Sequence, residues 1–371
     1  MPNLGLYIHI PFCLEKCPYC DFFSQPYDSR HSFAYADAVI RNAEHYKEHF
    51  DTIYFGGGTP SAAWWDVCRI MGKLKFDDSA EITIEANPNT LTQESLSSLK
   101  GCGVNRISIG VQSFSNAELR SLMRGHTSED ASNAVRIAQS GGFKNISVDL
   151  MLGIPNQTPD SVRRSIKILS GLGDSVKHVS AYMLKIEPST PYANMGLKLP
   201  DEYMTSQIYL TAVSALEEHG FMQYEISNFA KPGYESPHNL KYWKSQPYLG
   251  IGASAHSYYE GERFYVKNNI KAFIKSIVQE TVVTDRDNVN FSDYAMLKLR
   301  LNEGLTFTEC ERFGLKKEDM LRRCKLVPPD YLKITDKGIS ITKEGFLVSN
   351  RIIGKLTTKP AEQYVPVQIK R

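Results

Sequence analysis

Six short apolar runs, separated by segments of helical character, constrain this chain more than any other feature. They are LGLYIHI at 4–10, TIYFGGG at 52–58, EITIEAN at 81–87, RISIGVQ at 106–112, ISVDLML at 146–152 and HVSAYML at 178–184. Amphipathic stretches at 93–100, 129–139, 159–169 and 202–218 lie between or after them. Strands alternating with amphipathic helices lead to a parallel sheet covered by helices. The expected class is therefore α/β, with six βα units forming a partial (β/α)6 version of the eight-stranded TIM-like barrel. Reactive groups of such folds gather at the carboxyl ends of the strands, and GGGT at 56–59, Glu85, Gln112 and Asp149 each follow or close a run.

Just after the first run stands PFCLEKCPYCDFF, in which Cys13, Cys17 and Cys20 are spaced C-x3-C-x2-C. Three thiolates hold a four-iron cube and leave one iron open to an outside ligand, whereas four cysteines close it. Zinc is the alternative, but a structural zinc takes four protein ligands, and no CxxC or HxxxH pair elsewhere supplies the second half. The odd count of seven cysteines, the size of the chain and the lack of a secretory signal argue against a disulfide framework. Cys68, Cys102, Cys310 and Cys324 show no ligand spacing and are expected to be small buried hydrophobes.

A chain of 371 residues with 42% hydrophobic content has room for one large domain and a smaller one. Its 43 basic and 41 acidic side chains nearly cancel, so no general attraction to nucleic acid or anionic lipid is expected. No apolar run approaches the roughly 20 residues that span a bilayer. A cytoplasmic location is expected, with a peripheral membrane contact left open.

The residues at the strand ends suit a polar, charged ligand. In YFGGGTP at 54–60 the missing side chains let backbone N–H groups approach an anion; the other reading is a tight turn before a helix begun by Pro60. Glu85 and Asp149 are acceptors for a ribose diol or an ammonium, and Gln112 and Arg124 suit a carboxylate. Singly, each reads as an ordinary polar residue at a strand end rather than a ligand, and only their combination points to a site.

The cysteine triplet with Tyr19 before its last member resembles the signature of the radical S-adenosylmethionine (SAM) enzymes, in which SAM chelates the open iron of a [4Fe-4S] cluster. YIHIPFC, GGGTP, the Glu85 strand, GVQSF, RGH and VDLMLGIP follow in one order across residues 7–155. Here the chain resembles the HemN/HemW group, whose founding member is the oxygen-independent coproporphyrinogen III oxidase, and the resemblance extends over nearly the whole chain. It implies SAM contacts from Tyr7, Gly57, Gly58, Thr59, Glu85, Gln112, Arg124 and Asp149. Two departures separate the chain from the oxidase branch: Phe22 stands where that branch has a fourth cysteine, and only twelve residues precede Cys13 where it carries a long extension. HNLKYW at 238–243 resembles the HNxxYW motif of the HemW branch, the haem chaperones, where it is associated with haem binding.

The resemblance thus implies a protein that carries haem as cargo near His238, delivers it to haem-requiring acceptors such as respiratory enzymes, and takes electrons from a donor to the cluster. The enzyme alternative is cleavage of SAM to a 5′-deoxyadenosyl radical and decarboxylation of coproporphyrinogen III to protoporphyrinogen IX. His238 suits an axial haem ligand, with Tyr242 and Trp243 offering flat apolar surface; equally, HNLKYW packs a loop against the barrel. His9 and His256 are lesser candidates, expected to line or buttress the SAM site. Monomer and homodimer both remain open.

The domain reading places the barrel at 1–230 and a loop-rich extension closing its mouth, with HNLKYW, at 231–285. Residues 286–355 follow as a C-terminal winged-helix-like α+β domain, with helices at 293–301, 307–313 and 343–353 and a hairpin in LKITDKGISIT. Residues 356–371 are expected to be a flexible tail. The charge balance favours packing or docking over DNA binding for the small domain. A zinc-binding regulator with a winged helix is the third reading.

Overall fold

The computed structural model describes residues 4–286 and 289–358. All six expected strands form: β1 (Gly5–Ile10), β2 (Phe50–Gly57), β3 (Phe76–Ala86), β4 (Arg106–Gln112), β5 (Ile146–Leu152) and β6 (Val176–Met183). They lie parallel and adjacent in chain order. Successive side chains of a strand point to opposite faces. One set, including Leu6, Ile8, Ile53, Phe55, Ile84, Ile107, Ile109, Val148 and Val179, is completely buried. The other set is polar: Tyr7 pairs with Tyr54, Glu85 with Ser108, and Asp149 with Ser180 across neighbouring strands. The apolar face carries the helical layer, and the polar face is left to build a site.

The helices between and after these strands are α1 (Ser29–Tyr46), α2 (Trp64–Met71), α3 (Gln93–Gly101), α4 (Asn116–Ser121), α5 (Ser128–Ser140), α6 (Pro159–Ser170) and, following β6, α7 (Glu202–Glu218). Three start with reciprocal capping boxes, Thr92 with Ser95, Thr127 with Asp130 and Thr158 with Ser161, which satisfy amide donors that no turn of helix can reach.

The sheet extends beyond six strands. Tyr248–Ile251 lies parallel to β1, and the antiparallel strands His256–Tyr259, Glu262–Val266 and Thr281–Asp285 continue that edge. Asn228–Ala230 and Met222–Gln223 add antiparallel strands beside β6, making twelve among the described residues, in a sheet with two edges. Much of 231–285 is therefore strand, where loops had been expected. The glycines of GIGASAHS belong to a sharp turn within the sheet: a Cβ on Gly250 would lie 2.2 Å from the His256 carbonyl oxygen, and Gly252 has φ +113°. Glycine is needed there for close approach, and its density hides the strand.

The chain divides into two compact bodies, and the smaller takes in the short segments 224–226 and 242–245 together with the residues after 286. Its described part holds helices Phe291–Lys298, Phe307–Arg312, Lys317–Cys324, Lys343–Phe346 and Ser349–Thr357. They accompany a three-stranded antiparallel sheet of Leu305–Thr306, Gly338–Ile341 and Leu332–Ile334, in which the last two strands are the hairpin read in LKITDKGISIT. The last helix runs past the expected start of a tail at 356, and 359–371 lie outside the described residues. Among the described residues no helix is long and apolar enough to cross a membrane.

Candidate functional site

β1 delivers the chain to the cysteine loop. Phe12–Cys13 pairs with Gln25–Pro26, the Gln25 amide donates to Pro11 O (2.8 Å) and the Tyr27 amide to Cys13 O (2.8 Å), so the loop is closed at its base. Cys13 is buried, Cys17 and Cys20 are partly exposed, and all three are unlinked thiols. They line one cavity of about 430 Å³ together with Gly57, Gly58, Thr59, Glu85, Gln112, Arg124 and Asp149. These are residues of strand ends and the loops that follow them, the place from which an α/β barrel acts.

The surroundings of the sulfurs fit a thiolate-held cluster. Arg124 Nη1 donates to Cys17 Sγ (3.1 Å) and Tyr19 Oη (3.3 Å), while Nη2 donates to Asn87 Oδ1 (2.7 Å) and Gly110 O (2.9 Å). The Arg124 Nε is buried and has no hydrogen-bond partner among the described residues. The Thr59 hydroxyl donates to Cys13 Sγ (3.7 Å) and accepts from Asn87 Nδ2 (3.1 Å). Burial pushes the Cys20 thiol up, and the charges of Cys17 and Cys13 add to this. Three thiolates this close repel one another unless a cationic core stands among them.

Two carboxyls face the same cavity. Glu85 accepts from Tyr54 Oη (2.9 Å) and the Gly57 amide (3.1 Å), and burial, with the charge of Asp149 added, pushes its pKa up to about 7. Asp149 accepts from Ser108 Oγ (3.0 Å) and from Ser180, and burial lifts its pKa to about 6. Gln112 closes β4 with φ +67° and accepts from Tyr182 Oη (2.7 Å). A left-handed non-glycine residue held by its neighbours is stored strain of the kind that collects at functional sites. Asn87, Ser108, Ser180, Tyr54 and Tyr182 went unnoticed in the sequence; alternation within HVSAYML and RISIGVQ was the available signal.

The glycine run does not form the expected open cup of donors. The Gly57 amide is taken by Glu85, that of Gly58 by Ile10 O (2.8 Å) and that of Thr59 by Phe12 O (2.8 Å). Gly57 has φ +117°, and a Cβ there would lie 2.6 Å from the His9 ring; one on Gly58 would lie 2.7 Å from the Phe12 backbone. The run admits the first turn of the cysteine loop, and its place in the cavity wall follows from that.

Four expected site residues stand away from the cavity wall. Tyr7 stacks on Tyr54, with ring centroids 6.2 Å apart, and its hydroxyl meets His9 Nδ1 at 3.0 Å. His9 bonds Phe23 O through Nε2 (2.9 Å) and so buttresses the loop. His256 is exposed, beside Tyr265. His238 is completely buried, stacked on Tyr54 at 5.2 Å and bonded through Nδ1 to Thr52 Oγ1 (2.9 Å). Its backbone donates to Glu81, and Lys241 one turn on pairs with Asp51 (2.7 Å). Thr52 and Asp51 begin β2, so His238 seals the end of the barrel opposite the cavity. Burial, followed by the Lys241 and Arg106 charges, lowers its pKa to about 3. The enclosed imidazole thus serves packing in this structure, the second of the two readings of HNLKYW.

Residues 7–169 match the radical SAM superfamily. The chain is 34% identical to the heme chaperone HemW of Bacillus subtilis (strain 168), across 94% of this chain and 97% of that protein. With the heme chaperone HemW of Haemophilus influenzae the identity is 33%, across 97% and 99%. Among solved structures it is similar to coproporphyrinogen III oxidase (HemN) from Escherichia coli, a radical SAM enzyme, with TM-score 0.78 and 23% identity over 96% of this chain and 90% of that one.

Proposed function

The chain belongs to the HemW family of heme chaperones within the radical SAM superfamily, and from that premise we propose that it holds a [4Fe-4S] cluster and SAM, binds haem, and passes the haem to haem-requiring proteins. The observation that carries this reading is the cavity in which three unlinked thiols, Arg124 and the Glu85–Asp149 pair converge, in a chain related to heme chaperones along nearly its full length. Cys13, Cys17 and Cys20 would hold the cluster; Glu85, Gln112, Arg124 and Asp149 would hold SAM, with Gly57, Gly58 and Thr59 shaping the wall and Tyr7 supporting it from behind. When bound, the cluster supplies an open iron and an electron for reductive cleavage of SAM.

The chain's own contribution is positioning and charge control. Arg124 ties Cys17 to Asn87 and the end of β4, so the loop and the barrel rim are set by one planar cation with several directed donors. Glu85 and Asp149 are acceptors whose burial lifts their pKa values to about 7 and about 6, so a ligand donor or cation arriving beside them would stabilise their charged forms. Partners in this reading are haem, an acceptor such as a respiratory enzyme, and an electron donor.

The second reading, oxygen-independent coproporphyrinogen III oxidase, has the completeness of the SAM cavity in its favour and Phe22 in the place of a fourth cysteine against it. Anaerobically reconstituted protein with SAM and reductant separates the two. The expected result is about four irons per chain with absorbance near about 400 nm, stoichiometric haem uptake and no decarboxylation of coproporphyrinogen III. Conversion of coproporphyrinogen III without haem binding would select the enzyme, and tight zinc in place of iron would remove both. Replacing Cys13, Cys17 or Cys20 with Ala abolishes the absorbance in this reading, whereas Cys310→Ala leaves it intact.

A further inference from the structure

Asn87, the residue that follows β3, joins the two side chains that donate to sulfurs of the cysteine loop. Arg124 donates through Nη1 to Cys17 Sγ (3.1 Å) and through Nη2 to Asn87 Oδ1 (2.7 Å). Asn87 Nδ2 donates to Thr59 Oγ1 (3.1 Å), and the Thr59 hydroxyl donates to Cys13 Sγ (3.7 Å). The direction of every bond in this chain follows from one end. A guanidinium only donates, so the atom facing Arg124 is the amide oxygen; the amide nitrogen then faces Thr59, and a hydroxyl that accepts from it has its proton turned to the sulfur. Thr59 and Cys13 are both buried, where a hydrogen bond is electrostatically stronger than in water. The amide is itself held in place. Pro88 confines Asn87 to extended backbone, φ -95° and ψ 147°. Its carbonyl accepts from the Thr90 amide (3.0 Å) and the Thr90 hydroxyl (2.7 Å), and Ser61 bonds that hydroxyl in turn. A Cβ on Gly110 would lie 3.2 Å from Asn87 Oδ1, so the missing side chain at 110 leaves room for the amide.

We propose, resting on the cluster reading above, that Asn87 is a positioning residue that sets the reduction potential of the [4Fe-4S] cluster, because its amide fixes the donors to Cys13 and Cys17, two of the three ligating sulfurs. One-electron reduction adds negative charge to the cluster and its thiolates, and a hydrogen bond to a ligating sulfur stabilises the reduced form more than the oxidised one. Asn87 acts on the sulfurs through Thr59 and Arg124. In Asn87→Asp the shape is kept, but both terminal oxygens accept. Arg124 keeps its partner, whereas the Thr59 hydroxyl meets an acceptor where a donor stood and turns its proton from Cys13 to the carboxylate. The cluster loses one donor and gains a nearby negative charge, and both changes favour the oxidised form.

The test is a redox titration of the anaerobically reconstituted full chain without SAM, followed through the electron paramagnetic resonance signal of the reduced cluster. Asn87→Asp is expected to move the ratio of reduced to oxidised cluster at a fixed potential at least about tenfold toward oxidised, a fall of about 59 mV for one electron. Thr59→Val removes the donor to Cys13 without changing any charge and should move the ratio the same way by at least about threefold. Thr59→Ser keeps the hydroxyl and should restore the wild-type value. In the Thr59→Val background Asn87→Asp has no bond to Cys13 left to break, so its effect there should be at least about threefold smaller than in the wild-type background. An unchanged potential in Asn87→Asp, or equal effects in the two backgrounds, which charge alone would give, would overturn the proposal. Should Asn87→Asp assemble no cluster, the Thr59→Val and Thr59→Ser pair decides, and equal potentials in those two variants overturn it. Wild-type protein that takes up no iron would instead remove the cluster reading, and the proposal with it.

Discussion

Replacing Glu85 with Gln removes a charge that the folded barrel tolerates poorly. In the ligand-free protein burial and the Asp149 charge raise the Glu85 pKa from 4.5 to about 7. Each pH unit of displacement corresponds to about 1.4 kcal/mol, so at pH 8 the ionised side chain costs about 3 kcal/mol relative to the unfolded chain. The sign follows from the raised value: the stability this group contributes is complete below 4.5 and is lost as pH rises through about 7. Glutamine keeps the shape, but Tyr54 Oη and the Gly57 amide both donate to this carboxyl, and an amide offers only one oxygen. That mismatch costs about 1 kcal/mol. Glu85→Gln is therefore expected to be less stable than wild type by about 1 kcal/mol near pH 4 and more stable by about 2 kcal/mol near pH 8, with the two curves crossing between. Urea unfolding of the apoprotein followed by circular dichroism at both pH values measures this. SAM affinity at pH 8 should fall at least about tenfold in the same variant. An equal stability change at the two pH values would refute the view that a buried charge is held here for a ligand.

His238→Ala should lower unfolding stability by about 3 kcal/mol, from the lost stacking and hydrogen bond in a closed interior, and leave the spectrum of bound haem unchanged; a shifted Soret band with unaltered stability would restore the ligand reading. Because its folded pKa is depressed to about 3 from 6.5, the stability that neutral His238 provides is full above pH 6.5 and is lost as pH falls from there toward about 3, and the Ala variant should show a flatter acid limb. Arg124→Lys replaces a fork that reaches Cys17, Tyr19, Asn87 and Gly110 with a single ammonium, so SAM binding by titration should weaken at least about tenfold; wild-type affinity would show that the fork is not used. Gly57→Ala places a Cβ against the His9 ring at φ +117° and should cost at least about 2 kcal/mol and loosen the cluster as well. Loss of SAM affinity with full stability would instead mean that this glycine meets the ligand directly.

What the linear chain determined is whatever depends on neighbours in sequence. The six strands could be read from short apolar runs, the helix starts from Thr92, Thr127 and Thr158 three residues ahead of a reciprocal partner, and the cluster ligands from the spacing of three cysteines within eight positions. The identities of Glu85, Gln112, Arg124 and Asp149 as cavity residues also followed, because parallel strands present their carboxyl ends at one rim. Only the tertiary structure decided what pairs across the fold. It turned GIGASAHS from a loop into a sheet turn, since a glycine required for close backbone approach looks the same in sequence as one required for flexibility. It gave the amides of Gly57, Gly58 and Thr59 to Glu85, Ile10 and Phe12, because an amide's partner is fixed by packing and not by residue type. It also enclosed His238 at the far end of the barrel. Burial and long-range hydrogen bonding set the chemistry of a histidine or a cysteine, and both depend on contacts between residues far apart in the chain.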